Sequence, residues 1–433
     1  MDRAVVSLVK VSDVYESLKE SLSLSNGLAG LSVHDHILIK PNIVSWDFEL
    51  PFPPYGVVTT SSVMSALVRI LAEHGFRNLI IGEGSLPKLS TAGHEVYGAL
   101  GYKKLQERYG VKLVDFNQEE FVPMDYGDGF KLDIAKQALE ADKIINLPVL
   151  KTHNQAKVSL GIKNLKGCLS KNSKRYCHGL GNGELSLTFP RIIEKLPVAL
   201  TIIDGLYTLE KGPGPTGKAY PKGLLITSGD PFACDLVGAA VLGYPAKDVP
   251  HLARYAENHG YSLDLWDYEI AGESIADHQK LVEYDFEWSE DNTGPSGFKK
   301  KGITGLAIRK YDSSLCTGCS VQFNPMLILL SSAFKGSSFP NIEVVSGKQQ
   351  LASAGFDHSL LFGKCACHLN KDNPDIKKGI QLWGCPPDLE KMVEELAKEG
   401  LECDYNEYVR FRHYLFDRYT GKEGFNLSDW SVE

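Results

Sequence analysis

Lys143-Ile144-Ile145-Asn146-Leu147-Pro148 is a short apolar run that stops at a proline. It has the length and composition of a buried strand, and residues 135–141 before it have a helical pattern. The same unit recurs on both sides. His36-Ile37-Leu38-Ile39-Lys40 is an apolar strand ending at Pro41-Asn42. Residues 61–74 follow with Val63, Leu67, Ile70 and Leu71 on one helical face and Gly75 after them. Asn78-Leu79-Ile80-Ile81 is closed by Gly82-Glu83-Gly84-Ser85, and Lys112-Leu113-Val114-Asp115 is the next strand. Residues 198–203 close on Asp204-Gly205, and residues 224–227 form a sixth strand. Short apolar strands alternating with helices predict an α/β fold with a mostly parallel sheet and flanking helices.

Ligands in such sheets sit outside the carboxyl ends of the strands. That rule selects Lys40, Asn42, Glu83, Lys151 to His153, and Asp204. Charge adds a second argument. The chain carries a formal net charge of −8, which speaks against a nucleic-acid binder. Yet residues 143–183 hold no Asp or Glu, and they contain Lys143, Lys151, Lys157, Lys163, Lys166, Lys171, Lys174 and Arg175. A basic segment inside an acidic chain suits a local anion site. Within it, Lys151-Thr152-His153 follows a strand, and Lys163-Asn164-Leu165-Lys166-Gly167 lies a few helical turns on. An ammonium and an imidazole can hold a carboxylate or phosphate, and the imidazole can move a proton. We therefore expect Lys151, His153 and Lys163 as catalytic contacts. Lys40, Asn42, Glu83, Asn164 and Asp204 are the expected substrate-binding residues.

The length of 433 residues suggests two or three domains. At 43% hydrophobic and 23% charged residues, the composition is that of a globular protein, not of a disordered, collagen-like or membrane-embedded chain. The N-terminus lacks the pattern of a secretory signal, and the longest apolar run, residues 326–330, is far short of the ~20 residues that span a bilayer. A cytoplasmic protein without membrane or nucleic-acid partners is expected. Residues 286–305, rich in Gly, Pro and charge, have the composition of a linker. They would separate an α/β domain, 1–285, from a cysteine-rich domain, 306–433, that ends in two helical segments.

Six of the nine cysteines lie in the last third: Cys316, Cys319, Cys365, Cys367, Cys385 and Cys403. An odd total in a chain without an export signal does not suggest a disulfide framework. Cys316-Thr317-Gly318-Cys319 is a CxxC, Cys365-Ala366-Cys367 follows an apolar strand, and Gly384-Cys385-Pro386 follows another. Glycine beside a cysteine lets the backbone approach a bulky inorganic core. Cys316, Cys319, Cys365 and Cys385 would supply the four thiolates of a [4Fe–4S] cluster, with Cys367 the other candidate for the place of Cys365. Asn324-Pro325 reads as the start of a helix running through residues 326–330. A four-cysteine zinc site is the competing reading, although zinc ribbons usually pair two CxxC knuckles.

Gly212-Pro213-Gly214-Pro215-Thr216-Gly217-Lys218 begins like a phosphate-binding loop, but Ala219 stands where a hydroxyl is needed and two prolines remove backbone donors. Cys168, Cys177 and His178 offer only three candidate metal ligands.

Several stretches together resemble the DUF362 family, a domain of unknown function often found with iron–sulfur modules. They are Leu38-Ile39-Lys40-Pro41-Asn42, the run from Ile145 to His153, Lys163-Asn164-Leu165-Lys166-Gly167, Ile203-Asp204-Gly205, Gly214-Pro215-Thr216-Gly217 and Asp230-Pro231 with Asp235. The resemblance implies an α/β body and an iron–sulfur association, with no assigned reaction. Many relatives carry a ferredoxin-type module with closely spaced cysteines. Here the cysteines are dispersed, in what resembles a variant C-terminal cluster domain. The expectation is an iron–sulfur oxidoreductase or electron-transfer protein acting on an anionic small molecule, with a ferredoxin-like electron partner. The alternatives are a hydro-lyase type enzyme with an open iron as Lewis acid, and a zinc-stabilised binding protein.

Overall fold

A computed structural model describes residues 3–44, 52–85, 93–127 and 129–432. The chain divides into two units. Unit 1 comprises Met1–Cys177, Leu185–Asp285 and Tyr419–Glu433, and unit 2 comprises His178–Glu184 and Phe286–Arg418.

The strands of unit 1 are β1 (Val5–Lys10), β2 (Ile37–Pro41), β3 (Leu79–Glu83), β4 (Lys112–Asp115), β5 (Phe121–Asp125), β6 (Lys131–Ala135), β7 (Lys143–Leu147), β8 (Val149–His153), β9 (Lys157–Val158), β10 (Val198–Glu210), β11 (Lys218–Ser228) and β12 (Glu269–Gly272). One sheet runs β12-β1-β11-β10-β7-β2-β3-β4, and β8 pairs with β10 and β9. The pairs β10–β7, β2–β7, β2–β3 and β3–β4 are parallel, whereas β1–β11 and β10–β11 are antiparallel. The sheet is thus mostly parallel, with flanking helices. Its strands are apolar on both faces because both are covered. Leu38, Ile144 and Ile203 point into one core, and Ile37, Ile39, Ile145 and Ile202 into the other.

Local chemistry explains the elements around the strand ends. The helix Ser61–Glu73 buries Val63, Met64, Leu67, Val68, Ile70 and Leu71. The helix Pro231–Val241 starts where the Asp230 carboxylate accepts from the amides of Phe232 (2.8 Å) and Ala233 (3.0 Å), with proline in the first turn. The glycine- and proline-rich stretch at 212–217 is the tip of the long β10–β11 hairpin, in which the Gly217 amide donates to Gly214 O at 3.1 Å. It opens no helix, as a phosphate loop would. β10 and β11 also run well beyond the short strands expected at 198–203 and 224–227, because Tyr207, Leu209 and Ala219 continue the buried face.

Unit 2 is a parallel sheet in the order β13 (Leu306–Ile308), β14 (Ile342–Ser346), β15 (His358–Phe362) and β16 (Gly379–Leu382). Three features differ from the sequence reading. The stretch expected to be a linker, 286–305, folds into unit 2. Trp288 Nε1 donates to Ile308 O at 2.8 Å, and Ile303 is buried in the core of the unit. The helix expected from Asn324 begins instead at Thr317, with Cys316 as its N-cap, and carries Pro325 inside. Cys319, Phe323, Met326 and Leu330 form one buried stripe across the proline, so packing overrides the local stop. Finally, the last stretch of the chain belongs to unit 1. Tyr207 Oη donates to Asp429 Oδ2 at 2.6 Å, the Ala219 amide donates to Tyr419 Oη at 2.6 Å, and Tyr55 stacks edge-on against Tyr419, Phe425 and Trp430.

Candidate functional site

The carboxyl ends of β2 and β3 bring Lys40 and Glu83 together as a buried ion pair, Nζ–Oε2 2.7 Å. The Glu83 carboxylate also accepts from the amides of Ile43 (2.9 Å) and Gly84 (2.8 Å). Asn164, at the end of the helix Leu160–Asn164, accepts from Asn42 Nδ2 (2.8 Å) and donates to Asn146 Oδ1 (2.8 Å). Lys151, on β8, donates to Asn42 Oδ1 (2.5 Å) and Val57 O (2.6 Å) and is completely buried. Lys40, Asn42, Glu83, Asn164 and Lys151 therefore form one hydrogen-bonded network, and the structure adds Asn146 and Lys174 to it. Lys174 Nζ donates to Gly84 O. Lys174 was visible in sequence only as one of many basic residues.

His153 is buried at the end of β8, and its Nδ1 accepts from the Gln155 amide at 3.1 Å, which leaves the proton of the neutral ring on Nε2. Between His153 and Lys163 the backbone is strained: Lys157 and Leu160 adopt φ of +62° and +44°. The bend is held by the Asp235 carboxylate, which accepts from the amides of Gly161 (2.6 Å) and Ile162 (2.8 Å). Lys163 is half-buried, with its ammonium 5.8 Å from the centroid of the Phe189 ring. Asp204 does not join this group. Its carboxylate accepts from the Thr60 amide (2.7 Å), Thr60 Oγ1 (2.9 Å) and the Leu206 amide (3.1 Å), so it anchors the start of the helix Ser61–Glu73.

In unit 2 the CxxC lies on the first turn of the helix Thr317–Ala333, where the unpaired amides of a helix N-terminus favour negative charge. The Cys319 thiol is pushed up, first by its hydrogen bond to Cys316, then by burial and by the thiols of Cys316, Cys385 and Cys365. The thiols of Cys316, Cys365 and Cys385 thus all act on Cys319. Cys365 and Cys367 lie on the helix Gly363–Leu369, where residues two apart point to opposite sides. Cys365 is exposed, whereas Cys367 Sγ lies 3.5 Å from Leu361 O and packs with Val345 and Ala366. Gly363 has φ +88°, and a Cβ there would lie 3.3 Å from Cys319 Sγ. Among the described residues no three His, Cys, Asp or Glu side chains are grouped tightly enough for one metal ion. Cys168 and Cys177 are buried in the core of unit 1, while His178 belongs to unit 2, where its ring meets Ser313 O at 2.8 Å.

Residues 37–240 match the family described as "Domain of unknown function (DUF362)". The match lies within unit 1 and covers just under half of the chain. The thylakoid-associated protein sll1697 of Synechocystis sp. is 29% identical over 224 residues, which are 51% of this chain and 66% of that protein. The chain therefore spans just under two thirds of the length of that relative. The lactate racemase apoprotein of Thermoanaerobacterium thermosaccharolyticum aligns with 14% identity and a TM-score of 0.32 over 54% of this chain and 56% of its own, and nothing of its chemistry is carried over. Among the described residues no helix is long and apolar enough to cross a membrane.

The lysine network lies wholly inside the DUF362 match, and the four grouped cysteines lie outside it. Burial dominates the electrostatics of the DUF362 domain. It pulls Lys151 down to about 7 and Lys174 down to about 8, against the opposing pull of Glu83. Lys163 is held well below the usual lysine range by burial and then by Lys166, Lys151 and Lys40. Burial also pushes Asp235 up to about 7 against the two amides it accepts from. Lys40, Lys151 and Lys174 thus cluster around the buried Glu83 carboxylate.

Proposed function

We propose that the chain is an iron–sulfur redox protein in which Cys316, Cys319, Cys365 and Cys385 hold one [4Fe–4S] cluster. In this reading the DUF362 domain binds an anionic small molecule at Lys163 and His153, with Lys151 fixed behind them by Asn42. The observation that carries the reading is the convergence of three thiols on Cys319 at the start of a 17-residue helix. The donor set fits the group. Four soft thiolates suit iron–sulfur or zinc, and a cubane holds its sulfurs further apart than one zinc ion does. Gly363 supports the fit, because a side chain there would crowd Cys319 Sγ. A bound cluster would supply single electrons. Lys40 and Glu83 would keep the strand ends rigid, Lys163 would take the anion, and His153 Nε2 would hold a proton beside it. The electron partner would be a ferredoxin-like protein.

The test is anaerobic purification, analysis of iron, acid-labile sulfide and zinc, and an EPR spectrum after dithionite. Iron and sulfide in equal amounts, near four each per chain, with a reduced-cluster signal support the reading. One zinc without sulfide refutes it.

A further inference from the structure

Among the described residues, two polar side chains of unit 1 lie against one phenylalanine ring without a hydrogen-bond partner. His251, at the start of the helix Pro250–His259, is 1% exposed, and its Nε2 has no hydrogen-bond partner. Its ring stands edge-on to Phe189 at 5.6 Å between centroids, inclined by 84°. The Lys163 ammonium lies over the same Phe189 ring at 5.8 Å, near the outer limit of a cation–π contact, and such a contact satisfies none of its N–H donors. Among the described residues the Lys163 ammonium makes no hydrogen bond or ion pair. The charged groups acting on it are Lys166, Lys151 and Lys40, all of its own sign. Burial and the charge of Lys163 hold the His251 imidazole neutral, at about 3.

A structural role does not account for this arrangement. Buried polar atoms in native proteins are nearly always paired, and exceptions mark strain, chemistry, or an ordered water, ion or ligand at the atom. A phenylalanine at 251 would keep the edge-on packing and carry no orphan nitrogen. Resting on the anion-binding reading above, we infer that Lys163 and His251 form an oxyanion subsite against the Phe189 wall and that it takes a phosphate group. Lys163 supplies the charge, His251 Nε2–H supplies a directed hydrogen bond, and Phe189 excludes water from one side. Phosphate is favoured over a monocarboxylate because Lys166, Lys151 and Lys40 all act on Lys163, and among the described residues Glu83 is the carboxylate that acts on Lys151 and Lys174.

The experiment titrates the anaerobically purified full chain with inorganic phosphate and, separately, with acetate. It compares wild type with Lys163→Met, His251→Phe and Lys151→Met. Saturable phosphate binding, tighter than acetate, is expected. Lys163→Met and His251→Phe should each weaken it by about tenfold or more, the worth of a hydrogen bond to a charged partner. His251→Phe should unfold no earlier than wild type in the absence of phosphate. A second measurement needs no variant to fold: in ¹⁵N-labelled wild type, the His251 Nε2 resonance should move on adding phosphate. Wild-type binding by Lys163→Met and His251→Phe overturns the subsite. If Lys151→Met alone then loses phosphate, the broader anion reading survives that failure. An unmoved His251 resonance, tighter binding of acetate, or no binding of phosphate by wild type also overturns the proposal.

Discussion

Gly167 tests whether the Lys40–Glu83 pair is held as rigidly as the hydrogen bonds require. A Cβ at Gly167 would lie 2.1 Å from Glu83 Oε1, 2.5 Å from Lys40 Nζ and 2.6 Å from Lys40 Cε. Each contact is below any tolerated by a real Cβ, so Gly167→Ala must displace one or both side chains. Neither can swing into water, because Lys40 is 0% and Glu83 5% exposed. The Glu83 carboxylate is also fixed by the amides of Ile43 and Gly84. Separating a buried ion pair costs about 3–5 kcal/mol, and forcing extra atoms into a packed site costs about 1–3 kcal/mol. The two overlap, so a loss of about 3–5 kcal/mol is expected. At roughly 2 °C or more per kcal/mol for a large domain, the melting temperature of unit 1 should fall by at least about 6 °C. The control is Gly214→Ala in the β10–β11 hairpin tip, where nothing lies within 4 Å of the added carbon. It should stay within about 0.5 kcal/mol of wild type. The assay is urea and thermal unfolding of the full chain. If Gly167→Ala also falls within about 0.5 kcal/mol of wild type, the reasoning about the pair is wrong.

Three further outcomes follow from the same geometry. Cys365→Ser should lose the brown chromophore and acid-labile sulfide, whereas Cys367→Ser, whose sulfur lies against Leu361 O, should keep both; equal loss in the two would contradict the ligand assignment. Lys151 titrates near 7 when folded, below the usual lysine value of 10.5, so between those pH values the unfolded chain holds the extra proton and stability rises with pH. Wild type should gain stability relative to Lys151→Met as pH rises from about 7 to 10, and a flat or falling difference would refute the burial argument. Trp430→Ala should cost about 3–5 kcal/mol of unit 1 stability in chemical unfolding, because its ring is 5% exposed and packs on Tyr55; a change below about 1 kcal/mol would mean that the returning segment is not seated there.

The parallel strands were legible in the sequence because burial on both faces leaves no room for polar alternation. Ile37-Leu38-Ile39 and Ile144-Ile145 announce themselves by composition alone. The far halves of β10 and β11 were not, because Thr208, Glu210, Tyr220 and Pro221 break the apolar run while the hairpin continues. The helix start at Thr317 was hidden by Asn324-Pro325, a local stop signal overruled by the stripe from Cys319 to Leu330. Strand-end placement selected Lys40, Asn42, Glu83 and Lys151, and the structure joins these side chains through Asn164. It also selected Asp204, which the structure places in the middle of the long β10 with its carboxylate turned to Thr60. His251 lay in no motif and follows no strand, and only its burial without a partner reveals it.

The return of the chain to unit 1 after Arg418 has a consequence for synthesis. Unit 2 interrupts unit 1 in sequence, so the ribosome completes Phe286–Arg418 before it releases the segment that covers Tyr55 and Tyr207. Unit 1 must wait, with that aromatic surface bare, until unit 2 has emerged. If unit 2 needs iron and sulfide to fold, cluster supply sets how long the whole chain stays vulnerable to proteases and aggregation. Maturation would then act as a checkpoint on the DUF362 domain, although none of the four cysteines lies within it.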